Sequence, residues 1–214
     1  GYRKLERLYP RPDWVEQDPQ ALADGVREAI AEALQQAQCR PADIAACGLA
    51  SQRDTDFVWD ARTGQPLANA ITWQDLRTLS LEADLAHWPP AAQARSRLGY
   101  WPGPYSAALH LKWRLANDHA VAEAARAGTL RLGLAAVWVL NALGQANGHQ
   151  TDISLAQSMG LYDFRAREYW PEWLDYLGLP QSALPQVNST VADFGGNVDN
   201  LFDRFIAQNR ADKS

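Results

Sequence analysis

The first part of the chain contains one long amphipathic segment followed by three short apolar ones. After Asp18-Pro19, apolar side chains recur at three- and four-residue intervals through residues 20–37, the spacing of a helix with one buried face. The Asp18 carboxylate can accept hydrogen bonds from the free N–H groups of a first turn, and Pro19 has no N–H to satisfy. The pattern predicts a helix that begins at residue 19 and ends before Arg40-Pro41.

Three apolar runs of strand length follow this helix. IAACGLAS at 44–51 is predicted to be a buried strand, and TDFVWD at 55–60 is predicted to be a second strand. The segment ARTGQP at 61–66 has the composition of a turn. We therefore expect LANAITW at 67–73 to return antiparallel to the second strand.

From residue 75 onward the periodicity is mostly helical. Helices are predicted at 75–86, 105–117, 119–127, 134–143 and 171–177, with a short strand near 149–153. The closing segment differs, because FGGNVDN precedes an amphipathic NLFDRFIAQ and a polar end. We expect one domain over 1–192, then a linker and terminal helix over 193–214. Strands alternating with helices indicate an α/β domain that carries a helical insertion.

Charge and apolar length argue against several classes of partner. The formal net charge is −5, whereas a nucleic-acid-binding domain usually presents a basic face. No apolar run approaches the roughly 20 residues that cross a bilayer. We therefore expect neither nucleic acid nor a membrane as partner. Cys39 and Cys47 are expected to be reduced and partly buried, which favours a cytoplasmic protein.

The common catalytic and metal-binding signatures are absent from the sequence. It contains no GxxxxGK[ST] phosphate loop, no GxGxxG after a strand, no GxSxG, and no CxxC or HExxH motif. The four histidines are scattered, so each is expected on the surface or at the edge of the core, and no metal site is predicted. They are His87, His110, His119 and His149.

A set of polar and aromatic side chains near strand ends remains. Arg53 and Asp54 follow the first predicted strand, Trp73 ends the third, and Tyr105 lies in a loop rich in Pro and Gly. A polyol offers hydroxyl donors and acceptors in pairs, which a guanidinium beside a carboxylate satisfies, and its C–H face packs on an indole. The residue types leave a second interpretation open, in which Arg53 and Asp54 form a surface ion pair and both aromatic residues belong to the core.

The order of motifs resembles one known family. The segment ASQRDTDFVWDARTGQPLANAITWQDLRT at 50–78 is similar to the FGGY carbohydrate kinases, in particular to their glycerol kinase branch. Collinear similarities occur at 7–19, 104–113, 132–154 and 169–187, so the resemblance extends from residue 7 to about residue 190.

The resemblance implies a fold, a reaction and a set of site residues. The implied fold is an RNase H-like α/β domain of the actin/hexokinase class, incomplete at both ends. The implied function is the substrate-binding half of a kinase that transfers a phosphoryl group from ATP, with Mg²⁺, to a terminal hydroxyl of a small polyol or sugar. The family's substrate-contacting residues fall on Arg53, Asp54, Trp73 and Tyr105.

Departures from the family pattern bear on activity. Asp54 stands where the family has Glu, and Ala107 and His110 stand where it has Ser or Thr and then Lys. The family's Asp-Gly-Thr phosphate hairpin and its Gly-Asp-Gln segment, which carries the general base, are missing, so no catalytic residue is assigned. We expect this chain alone to be inactive. A catalytically inactive binding or regulatory module, or a structural half-domain that forms a homodimer, are the alternative interpretations.

Overall fold

A central antiparallel sheet organises the protein. The computed structural model describes residues 1–143 and 148–194. The sheet is formed by β1 (Glu16–Gln17), β2 (Asp56–Asp60), β3 (Ala70–Ile71) and β4 (Leu130–Leu134). Their order across the sheet is β1–β3–β2–β4, and Asp56 pairs with both Ile71 and Leu134. The start of β2 is therefore the point at which three strands meet.

Eight α-helices and two smaller sheets accompany this sheet in the part of the chain that the structure describes. The helices are α1 (Pro19–Ala37), α2 (Leu79–Leu85), α3 (Ala94–Leu98), α4 (Ala107–Asn117), α5 (His119–Arg126), α6 (Ala135–Leu143), α7 (Ile153–Ser158) and α8 (Pro171–Leu177). The smaller sheets pair β5 (Gln150–Asp152) with β8 (Gln186–Asn188) in parallel and β6 (Tyr162–Asp163) with β7 (Glu168–Tyr169) antiparallel. Within the described ranges, no helix is long and apolar enough to cross a membrane.

Both faces of β2 are buried. Phe57 and Trp59 pack with Trp138 of α6 on one face, while Val58 joins a larger core with the leucines of β4 on the other. Successive side chains of a strand point to opposite faces, so this apolar run needs a helical layer on each side. Helix α1 packs against the end of α6 through Val26 and Ile30, which completes one of the two layers.

A buried ion pair attaches α4 to the sheet. The Asp56 carboxylate is 1% exposed and accepts a hydrogen bond from Arg114 Nε at 2.6 Å. The same guanidinium reaches Asp118 at 2.9 Å and the carbonyl of Asn69, which lies just before β3. Each of its arms therefore has an acceptor, as burial of a charge requires.

Most of the predicted elements are confirmed. Helix α1 begins at Pro19, with Asp18 Oδ1 accepting from the N–H of Gln20 at 2.7 Å, and it ends at Gln38 in a left-handed conformation. The predicted hairpin exists, with β3 antiparallel to β2. The four later helices and the strand near 149–153 lie within one or two residues of the expected bounds. The helix expected at 75–86 is confined to α2.

The predicted strand at 44–51 is wrong. No strand in the described ranges pairs with it, and residues 45–50 are exposed. An apolar run becomes a strand only where a neighbour takes up its N–H and C=O groups. The expectation of partly buried thiols is wrong for the same reason, since Cys47 lies in this exposed segment and Cys39 is exposed as well. The predicted linker and terminal helix over 193–214 lie outside the described residues, except for 193 and 194.

Neutralising Asp56 is expected to destabilise the protein. Asp56→Asn keeps the side chain's shape but leaves the buried Arg114 without its closest counter-charge, which costs about 3–5 kcal/mol. The urea midpoint of unfolding measures this loss. Asp43→Asn removes an exposed ion pair with Arg40 and serves as the control, with no change expected. An Asp56→Asn midpoint equal to that of the unsubstituted chain would contradict the central role of this ion pair.

Candidate functional site

Arg53 and Asp54 lie in a turn that leads into β2. The turn replaces the predicted strand end, because β2 begins only at Asp56. Asp54 has φ 55°, a left-handed conformation that is unfavourable for a residue with a side chain. Adjacent side chains of a regular strand point to opposite faces, so this departure from strand geometry is what allows both to serve one ligand. Arg53 is exposed and Asp54 is half-buried.

The Asp54 carboxyl accepts fewer hydrogen bonds than its two oxygens allow. Its Oδ1 is buried without a hydrogen-bond partner in the part of the chain that the structure describes. Burial raises the pKa of Asp54 to about 6, although the nearby charges of Arg53 and His110 act to lower it. The carboxyl therefore retains acceptor capacity that a ligand hydroxyl can use.

Trp73 leaves the same end of the sheet as Asp54. Asp56 pairs with Ile71, and Asp54 and Trp73 each lie two residues beyond that pair. The Trp73 side chain is 52% exposed and that of Tyr105 is 41% exposed, so neither belongs to the core. No ion pair joins Arg53 to Asp54 within the described ranges. The alternative of a surface ion pair with core aromatic residues therefore does not describe this site.

Tyr105 lies close enough to Asp54 to feel its charge. Burial, then the Asp54 carboxylate, raises the pKa of the Tyr105 phenol. Its hydroxyl donates to the carbonyl of Trp101 at 3.0 Å, which leaves the lone pairs of the phenol oxygen free to accept. Charge effects thus link Arg53 to Asp54 and Asp54 to Tyr105. Trp73 shares the end of the sheet with Asp54, and no hydrogen bond or ring contact joins any two of these four residues in the described ranges.

Tyr100 is a further member of the site that sequence reasoning missed. Its ring stacks on that of Tyr105 with centroids 6.5 Å apart, and its hydroxyl donates to the carbonyl of Ser158 at 2.9 Å. Burial and then the Asp54 carboxylate raise its pKa. At Gly160, with φ 72°, a Cβ would lie 2.7 Å from the Tyr100 hydroxyl, so only glycine allows this approach. The aromatic residues at 99–105 indicated a possible binding loop, but nothing in the sequence shows that Tyr100 and not Trp101 belongs to the site.

His110 is the second residue of this region that the sequence did not reveal. It was expected at the surface or the core edge, yet it is 0% exposed, so that expectation is wrong. Its ring nitrogens contact Asp56 Oδ1 at 2.8 Å and the carbonyl of Pro104 at 2.9 Å. These polar partners make burial of an imidazole possible, and the carboxylate among them is 54 residues away in sequence.

The described residues contain no group of three or more His, Cys, Asp or Glu side chains that could hold a metal ion. A groove of about 740 Å³ between α4, α5 and α8 contains none of the four predicted site residues. Those four lie outside it, with Arg53, Trp73 and Tyr105 exposed and Asp54 half-buried.

Comparison with known proteins gives a consistent result. The model of the FGGY family of carbohydrate kinases, N-terminal domain, matches residues 1–206. Glycerol kinase from Beutenbergia cavernae is 36% identical over 198 residues, which is 91% of this chain and 39% of that protein. Glycerol kinase from Polaromonas sp. is 36% identical over 205 residues, or 96% of this chain and 41% of that protein. The chain thus spans about two fifths of the curated relatives it matches.

Solved structures share the fold. Plasmodium falciparum glycerol kinase with ADP superposes with a TM-score of 0.82 at 23% identity, covering 94% of this chain and 40% of that one. Xylulose kinase from Rhodospirillum rubrum gives a TM-score of 0.77 at 21% identity, covering 91% of this chain and 39% of that one. The predicted RNase H-like α/β fold of the actin/hexokinase class is confirmed.

Asp54 is expected to destabilise the folded chain above pH 6. Its pKa is raised on folding, so the carboxyl stabilises the fold less as pH rises from about 4 to about 6. At pH 8 we expect Asp54→Asn to increase the free energy of unfolding by about 1 kcal/mol, after allowance for solvent screening. At pH 3.5 the difference should vanish, because Asp54 is then largely protonated in both states. Urea unfolding at the two pH values measures this, and equal stabilities at pH 8 would contradict it.

Proposed function

We propose that this chain, which belongs to the FGGY family of carbohydrate kinases, forms the polyol- or sugar-binding wall of an ATP-dependent kinase. Phosphoryl transfer to a terminal hydroxyl of the bound molecule is the proposed reaction of the whole protein. ATP and Mg²⁺ are the proposed co-substrate and metal ion, held by residues other than those described. The observation that supports the proposal most is the Asp54 carboxyl, which is half-buried, has an oxygen without a donor among the described residues, and interacts electrostatically with Arg53, Tyr100 and Tyr105.

The proposed roles follow from the chemistry of each side chain. The Arg53 guanidinium donates to hydroxyl oxygens of the ligand, and the Asp54 carboxylate accepts from hydroxyls on the same side. The Tyr105 phenol oxygen has free lone pairs and accepts a third. The exposed Trp73 indole packs on the C–H face of the ligand. A neutral polyol leaves no unpaired charge at such a site.

Two observations favour a small substrate. Asp54 has a short side chain anchored in a strained turn, so the hydroxyl it accepts must come close to the backbone. Tyr100 and Tyr105 fill the space beside it with stacked rings. We infer a ligand of a few carbons with adjacent hydroxyls.

The relatives give no support to the inactive-module alternative, since those compared are named as kinases. A cytoplasmic location and a homodimer stay predictions from the sequence. Light scattering of the purified chain, which measures its mass in solution, tests the predicted homodimer.

Ligand binding with matched arginine variants tests the proposed site. We expect titration calorimetry to detect binding of glycerol or another short polyol or sugar. Arg53→Ala should weaken it about 10- to 100-fold, the loss of one charge-assisted hydrogen bond. Arg62→Ala, in the exposed turn after β2, is the control and should bind as the unsubstituted chain does.

Phosphorylation of the same panel of polyols and sugars by the protein encoded by the full coding region tests the reaction. Equal affinity of the two variants would refute the site, and no phosphorylation of any polyol or sugar would refute the kinase assignment.

A further inference from the structure

His110 forms two hydrogen bonds inside the protein, and both partners are acceptors. Nδ1 lies 2.8 Å from Asp56 Oδ1, and Nε2 lies 2.9 Å from the carbonyl oxygen of Pro104. A carbonyl oxygen cannot donate, so Nε2 must carry a proton. Nδ1 must also carry one if the Asp56 carboxyl is ionised.

The surroundings of Asp56 keep its carboxyl ionised. Its partner Arg114 is buried with it and carries a guanidinium that is always protonated in proteins. Arg114 Nε donates to Asp56 Oδ2 at 2.6 Å, which is a bond to a charged acceptor. His110 therefore donates from both ring nitrogens and is an imidazolium.

The balance of charge supports the same assignment. Asp56 and Asp118 each carry a negative charge, and Arg114 bonds to both. With a neutral His110, this cluster would hold two negative charges and one positive charge. An imidazolium at residue 110 makes this set of four neutral; three of its members are buried, and the Asp118 side chain is 25% exposed. Asp54, on the turn before β2, is the further carboxyl that this ring's charge influences.

The two hydrogen bonds of His110 connect opposite sides of the candidate site. Asp56 lies two residues after Asp54, and Pro104 directly precedes Tyr105. The Pro104 carbonyl also accepts from the Thr78 hydroxyl at 2.9 Å, so the loop is held from two directions. A shift of the imidazole would alter the separation between the Asp54 carboxyl and the Tyr105 phenol.

We propose that His110 is a buried imidazolium that positions Tyr105 relative to Asp54 and so sets the geometry of the polyol site. The role in binding rests on the proposed function, whereas the charge state does not. A side chain at residue 110 that donates only once leaves one of the two acceptors unpaired. The released loop then carries Tyr105 away from its position, and affinity for the ligand falls.

Nitrogen NMR of the histidine side chains tests the charge state directly. In the ¹⁵N-labelled chain at pH 7, both ring nitrogens of His110 should show a directly bonded proton. The assignment comes from loss of these signals in His110→Gln. A single protonated ring nitrogen at pH 7 would overturn the proposal whatever the ligand results are.

Variants at two histidines test the positioning role. Glutamine cannot supply a positive charge or donate to both acceptors in the same geometry, so His110→Gln should weaken polyol binding about 10-fold at pH 7. His119→Gln, on the exposed face of α5, is the matched control and should keep the affinity of the unsubstituted chain. Equal affinity of His110→Gln and the unsubstituted chain would overturn the positioning role.

The positioning role can still be tested if the unsubstituted chain binds no polyol. That absence of binding counts against the proposed function, and the NMR signals of the Tyr105 ring then report the position of the loop. They should shift in His110→Gln and stay in place in His119→Gln. Identical Tyr105 signals in all three proteins would overturn the positioning role independently of any ligand.

Discussion

The buried carboxylate of Asp56 is the constraint on which the rest of the structure depends. It stands at the first residue of β2, where three strands meet, and no water is available to solvate it. Its partners must therefore come from the protein, and α4 supplies two of them, Arg114 and His110. A hydrophobic cluster of the same volume would stabilise the fold as well or better. What the ion cluster adds is position, because each of its bonds has a fixed direction and length.

This fixed cluster explains how a strained site can exist beside it. Asp54 occupies a left-handed conformation and holds a carboxyl that lacks donors, and both features cost stability. They persist because the next residues are paired on both sides within the sheet, and because the Pro104 carbonyl fixes the opposite loop. Asp56, which these bonds fix, lies only two residues after Asp54 of the candidate site. Such proximity is what holds a binding geometry in place when the ligand is absent.

The sequence predicted elements whose signals are local and missed those that depend on distant partners. Helix α1 followed from Asp18-Pro19 and its apolar spacing, and the hairpin from a turn between two apolar runs. The strand β4 was missed, although LRLGL alternates, because it runs without a turn signal into the apolar residues of α6. Residues 44–51 had the composition of a strand but have no paired neighbour. Arg53, Asp54 and Tyr105 were selected by their chemistry, and their joint role stays a prediction supported by the influence of Asp54 on Tyr105 and of Arg53 on Asp54. Tyr100 and His110 could not be selected, because the interactions that identify them span 46 or more residues. The charge of Asp54 acts on Tyr100, and His110 bonds to Asp56.

The openness of the site decides what a ligand must do to it. Burial has already raised the pKa of Asp54 to about 6, and anything that covers the turn removes more water from the carboxylate. Covering alone would favour the protonated acid and weaken its attraction for Arg53. Hydroxyl donors act in the opposite direction, because each hydrogen bond to the charged form favours ionisation. A polyol can cover the carboxyl and supply those donors at the same time, whereas an apolar molecule of the same size can only cover it. We therefore propose that the site selects for hydroxyl groups through the solvation of the Asp54 carboxylate, in addition to any contact with the rest of the ligand.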